Sequence, residues 1–511
     1  MKYIYHGCVR TTTPDASVRP DAAANRLRQS RGALAHSVSV STWRSALEVR
    51  PADATVAASM RVGIAAALVF VGCGLLDLRQ YAGFAVLGAL ASAFARHEPL
   101  VRVAAKVTLV GALLVVFVAG GGLLALAHPP MWAEVAFMSV GAAVAAAAVS
   151  AFRIAGPGPV ILVFAATAAV SHVTAPGDLV GSCLAAAIGS TVGLLAAAAP
   201  LLVLPLGPAR LAVARALAAV AALERGASPA PSSGGAAGEV AGPARAAIAH
   251  AREKLALSGA RGAASWHHRD LVALLDEAEA AVDEWATGDS ARLRDVVRHE
   301  AELRKVKRRS TIFDSSASVR ALALPRPEGF LTVGRAGVRS PVVLGNAMRI
   351  GLASVCAGWF AAAVGLDHPL WASMGAMAAM QGVTYALTVQ RGIQRLLGNV
   401  GGAVVAAVLI GAGLGYWQTV VAIVVLQVTA ELTAARNYAL TSLAVTPMAL
   451  LMVGLGSDIS PEIGVSRVVD TLVGVAVGVI VAAVTISRSD RQHLPASPAA
   501  DAGEDVKIVR T

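Results

Sequence analysis

Two apolar blocks, residues 55–206 and 342–487, are each several times longer than the roughly 20 residues a helix needs to cross a hydrocarbon core, and this constrains the chain most. The charged residues gather before, between and after them. A mean hydropathy of +0.65 over 511 residues excludes an ordinary soluble globule, whose surface would need far more polar side chains. Lipid is the natural solvent of these blocks.

Runs of spanning length, separated by turn residues or charge, fall at 56–76, 81–94, 103–127, 131–152, 160–174 and 179–204 in the first block. In the second they fall at 344–366, 370–387, 396–414, 416–432, 438–455 and 464–486. Pro129, Pro130, Pro157, Pro159, Pro176, Pro369 and Pro461 lie in the gaps, because proline lacks an amide hydrogen and disfavours helix before it. Pro200 and Pro447 lie inside spans. The fold class predicted is an all-α polytopic membrane protein with two repeated bundles of about six transmembrane helices and an intervening cytosolic helical segment. Its predicted parts are a mobile N-terminal tail (1–54), a first membrane half (55–206), the helical segment (207–341), a second half (342–487) and a C-terminal tail (488–511). Within the helical segment, 228–243 reads as flexible.

The halves repeat in sequence. Met60-Arg61-Val62-Gly63 matches Met348-Arg349-Ile350-Gly351 at an offset of 288, and Arg102, Lys106 and Gly189 match Arg391, Arg395 and Gly478 at 289. An even helix count makes the repeats parallel, related by an axis along the membrane normal, and places any transport path between them.

Lysine and arginine set the orientation, since cytoplasmic loops keep positive charge. Arg96, Arg102, Lys106, Arg153, Arg391, Arg395 and Arg436 fall on one side, while the other carries residues such as Asp77, Asp178 and Asp367. Multi-pass insertion in the cytoplasmic membrane with both termini cytosolic is the expectation. The net charge of +11 is thereby accounted for without nucleic acid, for which aromatic interleaving and a binding motif are lacking.

Cys8, Cys73, Cys183 and Cys356 stand isolated, so neither a disulfide framework nor a metal site is indicated. No phosphate-binding loop, nucleophile elbow or zinc-protease helix occurs, and neither enzymatic activity nor a cofactor is expected. Four repeat-related cations, Arg61, Lys106, Arg349 and Arg395, with Arg391 beside the last, could anchor helix ends by snorkelling. Alternatively they form a positive mouth that recruits anions. Glu134, Glu431 and Asp470 are the acidic groups inside spans and the proton-coupling candidates, Asp470 being also placed to pair with Arg467 one turn earlier near the outer surface. Gly189, Gly193, Gly474 and Gly478 have the spacing of close helix packing.

The stretch 368–381, His-Pro-Leu-Trp-Ala-Ser-Met-Gly-Ala-Met-Ala-Ala-Met-Gln, followed by the basic stretch into 390–402, resembles the fusaric acid resistance and aromatic acid exporter family. Trp371, Arg395, Gly398 and Gly402 fall on that family's landmarks, with Asn399 where threonine is usual; Arg436, Tyr438 and Pro447 resemble a later segment. The first half matches more loosely. The resemblance implies export of small aromatic carboxylic acids, and a fold related to plant aluminium-activated malate transporters. Secondary efflux of such anions coupled to the proton gradient is therefore the expected function, with the bilayer and a small organic anion as partners and a homo-oligomer left open. An uncoupled anion channel and a non-transporting scaffold or sensor are the alternatives.

Overall fold

A computed structural model describes residues 39–49, 56–226, 234–258, 265–287, 293, 296–304, 324, 326–382, 384–455 and 463–485. The rest of both expected tails lies outside these. The described residues are helical without strands. In chain order the helices are α1 (Val40–Leu47), α2 (Val56–Leu75), α3 (Ala82–Ala89), α4 (Leu100–Ala127), α5 (Met131–Ala151), α6 (Val160–His172), α7 (Pro176–Val203), α8 (Gly207–Gly226) and α9 (Gly234–Ser258). They continue as α10 (Ser265–Thr287), α11 (His299–Arg304), α12 (Phe330–Val338), α13 (Pro341–Ala363), α14 (Pro369–Ala379), α15 (Tyr385–Gly411), α16 (Tyr416–Thr433), α17 (Tyr438–Gly454) and α18 (Ile463–Val484).

Proline sets many boundaries: Pro99, Pro130 and Pro159 precede the first turns of α4, α5 and α6, while Pro176, Pro341 and Pro369 open α7, α13 and α14, where a missing amide hydrogen costs nothing. At other starts a side chain caps the helix. Thr384 accepts from the Leu387 amide, and Asn437 from that of Ala439 at 2.7 Å.

Among the described residues, eight helices are long and apolar enough to cross a bilayer: α2, α4, α5, α7, α13, α15, α16 and α18. The second and fifth helices of each half are shorter. At about 1.5 Å per residue, α3 and α14 reach only about 12 and 16 Å, against a hydrocarbon core of about 30 Å. Burial explains the difference. All of α3 but Gly83 is buried, as is all of α14 but Trp371, whereas α2 turns Met60, Ile64, Leu68, Val71 and Leu75 outward. Broken helix is tolerated at membrane depth only where protein or a cavity surrounds it. After α3 the chain tightens into a 3₁₀ turn (Leu90–Ala93), and Arg61 of α2 donates to the Ser92 carbonyl there at 2.8 Å.

The same pairs of helices pack in each half. The second meets the sixth (α3–α7, α14–α18), the third meets the fifth (α4–α6, α15–α17), and the third meets the sixth. Between halves, the first helix of one meets the fourth of the other (α2–α16, α13–α5). Glycine permits the closest contacts: a Cβ on Gly189 would strike the Ala85 carbonyl, and one on Gly474 that of Ala372.

Helices α8 to α11 form a separate bundle around Leu217, Val220, Ile248, Leu255, Leu274 and Val282. Part of the stretch expected to be flexible is helix: α9 begins at Gly234 and runs through Pro243, with Ala241 and Ala244 buried against its neighbours.

Two other expectations are corrected. The N-terminal tail contains α1, which docks on the starts of α15 and α17. Gln390 and Gln394 donate to the Ser45 and Ala46 carbonyls at 3.0 and 2.8 Å, and Asn437 donates to those of Ala46 and Glu48. A polar stretch without hydropathic signal is thus held by amides satisfying its C-terminal carbonyls. The third helix of the second half begins at Tyr385, not near 396, so Arg391 and Arg395 lie inside α15. Hydropathy sees polar residues there and delays the helix, yet they face protein, not lipid.

Candidate functional site

Between the halves lies a cavity of about 290 Å³, lined from the first half by Leu87, Arg96, Pro157 and Phe164 and from the second by Arg391, Arg395, Asn399, Glu431, Tyr438 and Arg467, among others. Arginine in a spanning segment is costly and so tends to face such a cavity. Four arginines here meet one carboxylate.

Tyr438, at the start of α17, organises two of them. The Arg391 guanidinium lies 4.4 Å from its ring centroid, and Arg395 donates to its hydroxyl at 3.2 Å. Arg391 also donates to Gln381 at 3.2 Å. Arg395 follows Arg391 by four residues, so both fall on one face of α15. The Nε donors of Arg96, Arg391 and Arg395 are buried without a hydrogen-bond partner, which leaves capacity for an anionic acceptor.

Deeper in the cavity, Asn399 joins three helices. Its amide nitrogen donates to the Thr471 hydroxyl at 2.5 Å, and its oxygen accepts from Ser442 and Thr446 at 2.9 and 2.7 Å. Asn399 thus fastens α15 to α17 and α18. Gly398 and Gly402, on the same helix, let α17 approach closely around Ser442 and Thr446, and Pro447 of α17 lies against Gly402. Arg467 places its guanidinium 4.5 Å from the Trp371 ring centroid, and Trp371 stacks on His368 at 4.2 Å.

The recruiting candidates separate. Arg391 and Arg395 line the cavity, whereas Arg61 is engaged with Ser92, Arg349 donates to the Thr485 hydroxyl at 2.9 Å, and Lys106 donates to Glu98 and the Arg153 carbonyl, both at 2.9 Å. A ring of four repeat-related cations is not formed: the Ser92 carbonyl, the Thr485 hydroxyl, and Glu98 with the Arg153 carbonyl claim three of them. Arg436 lies exposed just before α17.

The acidic candidates separate as well. Glu431 lines the cavity and pairs with Arg96, an ion pair joining the two halves. Glu134 sits half-buried in the first turn of α5, outside the cavity lining. Asp470 is 1% exposed, and neither carboxylate oxygen has a hydrogen-bond partner. The expected Arg467–Asp470 pairing near a surface is corrected: no ion pair forms within 4.0 Å among the described residues, both are buried, and the arginine is drawn to Trp371 instead.

A second cavity of about 390 Å³ lies toward the opposite end, lined by Gln80, Phe84, Ser171, His172, Thr174 and Asp178 among others. Leu87, Phe164 and Met452 line both cavities. They come from α3, α6 and α17, three of the four short helices. The two cavities therefore adjoin at three apolar side chains that line both.

The second-half residues of the basic cavity fall within one stretch that matches a known family model, described as fusaric acid resistance protein-like. The matched stretch is residues 355–481, about a quarter of the chain. The chain is a multi-pass membrane protein, with eight helices among the described residues long and apolar enough to cross a bilayer. It is also 30% identical over 162 residues to the uncharacterized membrane protein YvaC of Bacillus subtilis (strain 168). That similarity covers 31% of this chain and 25% of the relative, so the chain spans about a quarter of the length of the curated protein it matches. No solved structure matches.

Sequence reasoning singled out Arg391, Arg395 and Tyr438 but took Arg96 as a topology marker and passed over Gln381, Gln427 and the three side chains that line both cavities. Leu87, Phe164 and Met452 carry no signal that separates them from lipid-facing residues. Arg96 could have been flagged as a cation at the end of a span too short to cross.

Proposed function

We propose that the chain exports small organic anions, single-ring aromatic carboxylates foremost, through the path joining the two cavities. One observation carries this reading: buried arginines with unused donors line a cavity between the halves, and three apolar side chains line both it and a second cavity. A volume of about 290 Å³ stands at the lower end of the range for ligand sites, about 300–1,000 Å³, and suits a small substrate. Arg391 and Arg395 supply charge and planar donors to a carboxylate, and the apolar remainder accommodates a ring.

The positive-inside rule supports placing the basic cavity toward the cytosol, with the helical bundle and both termini on that side. A membrane potential negative inside then drives a monovalent anion outward by about 2.3 kcal/mol per 100 mV. For proton coupling, Glu431 is the acid best placed to respond to substrate, because an anion that takes Arg96 releases it.

The test is accumulative counterflow of a labelled single-ring aromatic acid in proteoliposomes, with and without a pH gradient and an imposed potential. Counterflow that responds to potential and is lost in Arg391→Gln and Arg395→Gln is the expected result. Flux without counterflow would make the protein a channel. Absence of flux across a panel of aromatic and aliphatic acids would overturn transport in favour of a scaffold.

A further inference from the structure

Arg96 reaches the cavity from a short connection, Ala95 to Pro99, that is held in part from outside the membrane helices. Its neighbours Ala95 and His97 both adopt left-handed backbone conformations, with φ of 57° and 56°, which L residues with side chains rarely take. Such a connection keeps its shape only where its surroundings impose it.

Three groups impose it. The Ala95 amide donates to the Ala155 carbonyl at 2.9 Å, and Lys106 of α4 donates to Glu98. The third comes from the separate bundle: Lys254 of α9, 6% exposed, donates to the His97 carbonyl at 3.3 Å and pairs with the other oxygen of Glu98. Glu98 is thus shared between a membrane helix and the bundle. Beside it, Glu253 of α9 lies 3.7 Å from Arg102. On the far side of the same connection, Arg96 pairs with Glu431 of α16 across the junction of the halves.

We infer that the helical bundle is a regulatory element that bars the basic cavity: Lys254 grips the 95–99 connection and thereby holds the Arg96–Glu431 pair across the mouth. Displacement of α9 frees Glu98 and the His97 carbonyl, the connection relaxes from its left-handed conformations, and Arg96 leaves Glu431. Anything that shifts the bundle relative to α4 then changes access to the cavity without touching it. Only the functional meaning of the bar rests on the transport reading.

The experiment measures modification of a cysteine at Ala449, which lines the cavity on α17, in full-length protein with its four native cysteines replaced. A membrane-impermeant maleimide is applied to each face of oriented vesicles, and flux is measured in parallel. Lys254→Met should accelerate labelling from the bundle side about ten-fold, the scale set by losing a charge-assisted hydrogen bond, and Lys254→Arg should restore the slow rate. Arg96→Gln alone should give the fast rate, and Lys254→Met should add nothing to it. An unchanged rate in folded Lys254→Met protein overturns the inference. So does an acceleration that persists undiminished beside Arg96→Gln, since the effect would then bypass the bar. Labelling that behaves as expected with no flux for any acid would leave the bar standing and remove the transport reading; intact flux with flat labelling would do the reverse.

Discussion

Corresponding places in the two membrane halves hold the same kind of residue and do different work. In the second half, Arg391 and Arg395 turn into the cavity and clasp Tyr438. In the first half, Arg102 donates to the Glu328 carbonyl at 2.6 Å and faces Glu253, while Lys106 is neutralised by Glu98. One half therefore presents its paired cations to the path, and the other spends them on the connection and the bundle. Matching positions in the two sequences thus do not decide what a charge faces. The neighbours decide that, and Glu98 is the neighbour that makes the first half different.

The largest effect that would test this contrast is on anion affinity. Arg395→Gln should lower flux per folded molecule at subsaturating substrate roughly ten- to hundred-fold, the loss expected for a charged hydrogen bond. Lys106→Gln should leave KM near that of wild type and act on stability instead. Equal KM effects would erase the distinction between the halves. Arg349→Gln belongs with Lys106→Gln, since its Nε serves Thr485.

Next in size is the apolar contact between the cavities, to which both halves contribute. Leu87→Ala should create an anion leak that persists without substrate exchange, visible as current in planar bilayers, because a removed side chain leaves space where the two cavities adjoin. A tight variant would show that Phe164 and Met452 suffice.

Helix packing should differ by a smaller margin. Gly189→Ala forces a methyl onto the Ala85 carbonyl, whereas Gly478→Ala meets its nearest atom, Ala376 Cα, at 3.2 Å. The first should cost about 1–3 kcal/mol and the second less, read as folded yield and thermal midpoint in detergent. The reverse order would show that the first half relaxes more readily.

The smallest effect concerns pH. Burial alone would raise the Glu98 carboxyl, but Lys254 and then Lys106 outweigh it and hold the group below its ordinary value of 4.5. Because its folded value is depressed, its stabilising contribution is present above the ordinary value and is lost as pH falls through the folded one. The wild-type thermal midpoint should therefore drop more steeply than that of Glu98→Gln as pH falls below about 4.5. Parallel curves would mean that Glu98 does not join bundle to membrane in solution.

The long spans were legible in the sequence because lipid demands a run of apolar residues that nothing else requires. Helices α3 and α14 were legible as apolar but not as interior, since hydropathy reports composition and not which solvent surrounds it. Arg391 and Arg395 stood out by repetition and by resemblance, yet their reach into the cavity depends on a helix start at Tyr385 that polar residues concealed. The sharing of Glu98 between Lys106 and Lys254 joins positions about 150 residues apart. No local pattern announces such a contact.

The short helices also bear on what the bilayer demands of each part of the chain. Insertion machinery reads hydrophobic length, and α3, α6, α14 and α17 present too little of it to be held in a bilayer alone. Each depends on longer neighbours to be held in the membrane, as a kernel depends on its shell. Residues of the kernel, Leu87, Phe164, Met374 and Met452 among them, are then released from any duty to lipid. Selection can alter what passes through the centre while the outer helices go on satisfying the membrane, and substrate preference can drift within an unchanged shell.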